Sequence, residues 1–187
     1  DGVKLGDSSS DNIISENNIT ANNDDGIQMY ECPGNMISGN NITANNDVGV
    51  YARDSSNNSV VGNSIIDNRY GIEFQNSSRN NMVNNAITLN DWYGVWLDSS
   101  SNNSINGNHI TDNYDGVYLY EGSSNIVSGN SITANNEYGV WLDSSSNNSI
   151  NGNHITTNND AGIYFAHYSK YNTIIRNNIT SNSYGIH

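Results

Sequence analysis

Apolar residues along this chain fall at alternate positions in runs of three to five, separated by polar stretches rich in Asn, Ser and Gly. Alternation at that spacing is the signature of a short β-strand with one buried face. One family of runs carries Val3/Leu5, Ile27/Met29, Val50/Ala52, Ile72/Phe74, Val95/Leu97, Val117/Leu119, Val140/Leu142 and Ile163/Phe165. A second centres on Ile14, Ile37, Val60, Met82, Ile105, Val127, Ile150 and Ile174, and a third on Ile19, Ile42, Ile65, Ile87, Ile110, Ile132, Ile155 and Ile179. The first run of each unit follows a glycine (Gly2, Gly26, Gly49, Gly71, Gly94, Gly116, Gly139, Gly162, Gly185) at intervals of 22 to 24 residues. Eight units therefore fill the chain, and a fixed period of this size with strand patterning predicts a solenoid.

Three asparagine columns run through all eight units: Asn12 to Asn172, Asn17 to Asn177 and Asn22 to Asn182. Each strand is thus bounded by turn-forming residues, and glycine or asparagine is expected to supply the left-handed backbone at the corners. Coils stacked about 4.8 Å apart would place equivalent asparagines above one another, with their amides hydrogen-bonded in ladders. A slip of one residue would turn every apolar column outward, so the register is well specified.

The repeat G-[IV]-x-[LMF]…N-x-[IV]…N-x-I-T-x-N, as in GVWLDSSSNNSINGNHIT from Gly94, resembles the parallel β-helix repeat of the pectin-lyase-like superfamily. More narrowly, it is similar to the NosD-like carbohydrate-binding and sugar-hydrolase repeat domain of prokaryotic, notably archaeal, surface proteins. The resemblance implies an all-β, right-handed, single-stranded parallel β-helix of about eight coils with three short parallel sheets. Residues 1–187 would form one such domain, about 38 Å long. The fold itself hosts lyases, hydrolases, epimerases, tailspikes, adhesins and passive stalks, so it does not select a function.

Six basic residues against nineteen acidic ones give a net charge of −13, which argues against nucleic acid or an anionic membrane as partner. Cys32 stands alone, which excludes an internal disulfide. No apolar run reaches the length of a membrane span. Together with the resemblance, these features suggest an extracellular or cell-surface setting. The terminal coils carry no obvious cap, so the expected partner is either the next segment of a longer array or another subunit stacked end to end.

Residues 93–111 recur letter for letter at 138–156. Copying extends a scaffold more readily than it builds a single catalytic centre, and it favours a non-catalytic stalk, filament or sheath element. The outward position two residues after each glycine reads Lys4, Gln28, Tyr51, Glu73, Trp96, Tyr118, Trp141 and Tyr164, with Trp92, Tyr93, Tyr114, Tyr120 and Tyr138 nearby. Tyr51, Trp92, Trp96, Tyr118, Tyr120, Trp141 and Tyr164 are therefore the candidate surface for a polysaccharide, a glycoprotein or a neighbouring subunit. The alternative is that these rings only pack against one another across the sheet.

For a polysaccharide-processing enzyme, Glu73 and Asp98 are the candidate acids, one coil apart and offset by two residues, a spacing of roughly 8 Å that suits an inverting glycosidase. The copy of Asp98 at Asp143 weakens that role. A lyase would need a basic residue in an acidic nest, which neither Arg53 nor Arg69 provides by column. The NosD-like resemblance suggests copper, but His109 and His154 share a column two coils apart, too far for one ion. No cofactor is expected. Turn acids such as Asp24, Asp25, Asp47, Asp115 and Asp160 could take Ca²⁺ adventitiously or cap turns.

Overall fold

The computed structural model describes all 187 residues and contains only strands, turns and bends. Twenty-five short strands assemble into three parallel sheets that run the length of the chain, one of nine strands and two of eight. The first sheet begins with Val3–Leu5, the second with Ile13–Ser15 and the third with Asn18–Thr20. Each strand pairs with its equivalent in the next coil, and the register joins like to like: Val95 with Val117, Ile105 with Val127, Ile110 with Ile132. The apolar columns predicted from the alternation form one continuous core of 28 buried residues, with Val3, Leu5, Phe165, Ile174 and Ile179 partly buried around it.

The asparagine columns are ladders in the full sense. Asn108 shows the pattern: its Oδ1 accepts from the backbone N–H and the Nδ2 of Asn85, at 2.9 and 3.0 Å. Its own Nδ2 donates to the Met82 carbonyl and to Asn130 Oδ1. The corner backbone, which no strand can pair, is thereby satisfied from the side chain of the next coil. A fourth inward column is not evident from the sequence pattern. Ser55, Ser77, Ser100 and Ser145 line the corner between the first and second sheets, and each Oγ accepts from the coil before it: Cys32 N, Ser55 N, Ser77 N and Gly122 N in turn. Cys32 occupies a serine position in this column, fully buried, with its Sγ on the Tyr30 carbonyl.

The expected source of the left-handed corners holds at some corners and not at others. No ladder asparagine has a positive φ; the residue immediately before each one does. That residue is glycine at six corners (Gly34, Gly39, Gly62, Gly107, Gly129 and Gly152) and asparagine at four (Asn57, Asn84, Asn102 and Asn147), but at the rest it is as varied as Glu16, Ala21, Leu89, Asp112, Thr157 and Arg176. The ladder hydrogen bonds hold these corners, so residues that disfavour the left-handed region are tolerated there. The repeating glycine before the first strand is needed for space instead. A Cβ on Gly49 would lie 2.6 Å from Ile65 Cγ2 and 2.7 Å from the Gly71 carbonyl oxygen.

Two substitutions test this account by chemical denaturation. Asn108→Ala strips the buried Asn85 N–H of its partner and the Met82 carbonyl of one of its donors, and is expected to cost about 2 kcal/mol. Thr157→Gly relieves a β-branched residue at φ 57 and is expected to stabilise by up to about 1 kcal/mol.

Candidate functional site

The outer face of the first sheet carries nearly all the aromatic and charged side chains that face off a strand. Pairing places Trp96, Tyr118, Trp141 and Tyr164 side by side on four consecutive coils, as the column predicts. Asp98, Tyr120 and Asp143 form the adjacent column on three of those coils. The rings pack on one another: Tyr118 lies 4.2 Å from Trp141 between centroids and stacked, Tyr93 meets Tyr118 at 4.9 Å, and Tyr138 stacks on Tyr164 at 4.6 Å. This packing leaves Tyr118 only 8% exposed, while Trp92 and Tyr114 at the sheet edge remain 43% and 37% exposed with centroids 5.4 Å apart. Tyr51 stands apart from the strip, its hydroxyl donating to Gln75 Oε1.

Three unpartnered polar atoms belong to this strip or its neighbouring coil positions. Trp96 Nε1, Trp141 Nε1 and Asp115 Oδ2 are buried without a hydrogen-bond partner. Asp115 is fully buried, and its other oxygen accepts from Tyr138 N in the next coil. Burial pushes its carboxyl up to about 7, with Glu137 adding to the rise and the Tyr138 N–H opposing it. Asp25 bridges neighbouring coils in the same way, accepting from Val48 N and Gln28 Nε2. Among the turn acids, these two therefore act as caps between coils.

Glu73 and Asp98 have the predicted offset, since Glu73 pairs with Trp96 and Gln75 pairs with Asp98. Glu73 is not displayed as expected: neighbours on the outer face bury it to 6%. Burial raises its carboxyl to about 7; Gln75 Nε2, 2.7 Å from Oε1, works against the rise, and Asp47, Asp25 and Asp98 add to it. Glu73 closes a shallow groove of about 260 Å³ with Asp24, Asp25, Asp47, Gln28, Val48 and Tyr51. A second groove shares Gln28 and Tyr51 and is lined by Lys4, Tyr30 and Arg53. Arg53 therefore stands nearer to acids than its column suggested, yet its Nε pairs with Asp54 at 3.5 Å, and Arg69 pairs with Asp47 at the same distance.

Two family models match this chain. One is described as a right-handed β-helix region and covers residues 1–114; the other is described as periplasmic copper-binding protein (NosD) and covers residues 65–187. The chain belongs to the NosD-type right-handed β-helix proteins. No curated protein matches it in sequence. Among solved structures, it is similar to a point mutant of the periplasmic alginate epimerase AlgG, with 27% identity, a TM-score of 0.74, and coverage of 76% of this chain and 36% of that one. The A-module of the Azotobacter vinelandii mannuronan C-5 epimerase AlgE4 shares 20% identity at a TM-score of 0.84, covering 94% and 55%. PfbA, a surface adhesin of Streptococcus pneumoniae, shares 12% at 0.60, covering 92% and 60%. The chain spans less than two thirds of the length of each of these structures, and the latter two show the fold alone.

The copper in the family description does not fit the donors present. His109 and His154 share their column with Ser131 between them. His167 is bonded to Asp143, and Cys32, Met29 and Met82 are locked in the interior. The residues whose ligand atoms do converge are Asp1, Asp24 and Asp25, within 4.8 Å of one another. Carboxylates are hard donors that suit Ca²⁺ or Mg²⁺ better than copper.

The buried acids make stability depend on pH. Native Asp115 holds its proton up to about 7, whereas the unfolded chain releases it near 3.9. The native state binds more protons in that window, so stability falls as pH rises through it. Asp115→Asn removes this loss and is expected to raise the melting temperature by roughly 2–4 °C above pH 7 and to leave it unchanged near pH 4, read by differential scanning calorimetry.

Proposed function

We propose that this chain is a non-catalytic structural β-helix of the cell envelope or cell surface, a stalk, filament or sheath element whose aromatic face contacts glycans. The observation that carries the reading is the aromatic strip on an otherwise polar solenoid. Trp92 and Tyr114 stay exposed at its edge, and the indole N–H groups of its own Trp96 and Trp141 have no acceptors. Partly exposed rings fixed on a rigid sheet suit the apolar faces of sugars, and exposed aromatic patches mark interaction surfaces. The periplasmic epimerase and the surface adhesin that share the fold support an envelope or surface setting and a polysaccharide-related role.

The uniform coils support a scaffold. Strand lengths and ladders repeat without an insertion that would wall a deep cleft, and both grooves on the first sheet are shallow. End-to-end assembly through the terminal coils belongs to the same reading, as stacking continues the parallel pairing of all three sheets. The enzyme alternative rests on Glu73, whose buried carboxyl lines the groove beside Tyr51.

Intrinsic tryptophan fluorescence tests the glycan contact directly, because all three tryptophans lie in or beside the strip. Titration with a polysaccharide panel is expected to give saturable quenching by at least one glycan class, weakened at least tenfold in Trp92→Ala. A flat response across the panel would leave the rings as sheet packing and the scaffold role alone.

A further inference from the structure

The charge around the aromatic strip is one-sided. Between Arg79 and Lys170 the chain carries no lysine or arginine, yet it holds Asp91, Asp98, Asp112, Asp115, Glu121, Glu137, Asp143 and Asp160. These coils are the ones that bear the strip. Its two columns alternate in type: Trp96, Tyr118 and Trp141 run beside Asp98, Tyr120 and Asp143. Asp98 Oδ1 accepts only from Ser99 Oγ, and Glu121 is exposed next to Tyr120. Two imidazoles border the strip: His167 meets Asp143 at 2.8 Å, and His187 packs edge-on against Tyr164 with centroids 5.4 Å apart.

We propose that the glycan accepted by this strip is cationic, a polymer of unacetylated amino sugars. The inference rests on the glycan-binding reading above and names its substrate class. Aromatic faces attract ammonium groups through their quadrupole, and carboxylates at the ring edges add a charge-assisted hydrogen bond. A stretch of solenoid with eight acids and no lysine or arginine concentrates cations at its surface and repels polyuronates. In this respect the strip departs from what a binder of anionic alginate needs, although alginate epimerases share its fold.

The buried polar atoms point the same way. Asp115 lies fully buried in one column between Tyr93 of the preceding coil and Tyr138 of the following one, with Oδ2 unpartnered, and in its ionised form it strengthens the negative potential beside the rings without needing to touch the ligand. Trp92 and Tyr114 supply the exposed platform at the edge, where nearby Glu137 pushes the Tyr114 phenol up.

Isothermal titration of the chain with a glucosamine hexamer, an N-acetylglucosamine hexamer and a galacturonic acid hexamer, near neutral pH and at low salt, decides the matter. The glucosamine hexamer is expected to bind at least tenfold tighter than its acetylated counterpart, and the galacturonate not at all. Raising salt from 0.1 to 1 M, which shortens the screening length from about 10 to 3 Å, should remove most of that preference. Asp98→Asn and Glu121→Gln, whose side chains lie on the surface, should each weaken the glucosamine hexamer severalfold and leave the acetylated one unchanged, with circular dichroism confirming the fold. Equal affinity for the two glucosamine forms, or preference for galacturonate, overturns the cationic class while the glycan-binding reading stands. Binding of none of the three hexamers, together with a silent polysaccharide panel, overturns both.

Discussion

The fold depends on one interaction repeated at every corner: the asparagine side chain of one coil receiving the backbone N–H of the coil before it. Without it, each turn between three-residue strands would bury amide groups that no sheet can pair, at a cost of about 1–3 kcal/mol apiece. With it, a chain that is only 34% hydrophobic closes a continuous interior. Ladders and apolar core are complementary, since the isoleucine column of the third sheet packs directly beneath the glycines that let adjacent coils approach.

That constraint also explains what could be read from the sequence. A period of 22 to 24 residues, three invariant asparagines per unit and alternating apolar positions specify three parallel sheets and their register, because any other register exposes the isoleucines. The serine column was harder to see, as Cys32 and Gly122 interrupt it and serine is abundant in every turn. The left-handed corners are only partly legible: propensity points to Gly and Asn, which serve at corners such as Gly107 and Asn57, whereas the ladder bonds also impose the conformation on Leu89, Thr157 or Arg176. Tertiary hydrogen bonding outweighs local preference at these positions.

The candidate site was only partly legible. Column counting located the aromatic strip and the offset of Glu73 from Asp98. Exposure was not legible, because it depends on how large side chains lean across neighbouring coils. Tyr118 is covered by Tyr93 and Trp141, and Glu73 sinks among its neighbours, while Trp92 and Tyr114, one position outside the strand, keep open faces. By sequence Asp115 is one more turn acid; only the fold shows it bridging two coils between Tyr93 and Tyr138.

The ladders have a direction as well as a strength. In every column the backbone N–H points toward the following coil, and the side-chain carbonyl oxygen that receives it points back toward the preceding one. Hydrogen bonds in the sheets alternate in sense and leave little net moment; at the corners the Nδ2 donation to a carbonyl of the preceding coil runs backward, but the backbone N–H and Nδ2 bonds onto the next Oδ1 both run forward and leave a net sense. The solenoid is therefore an axial electric dipole, with its positive pole toward the later coils, built from side chains in the way an α-helix builds one from its peptide units.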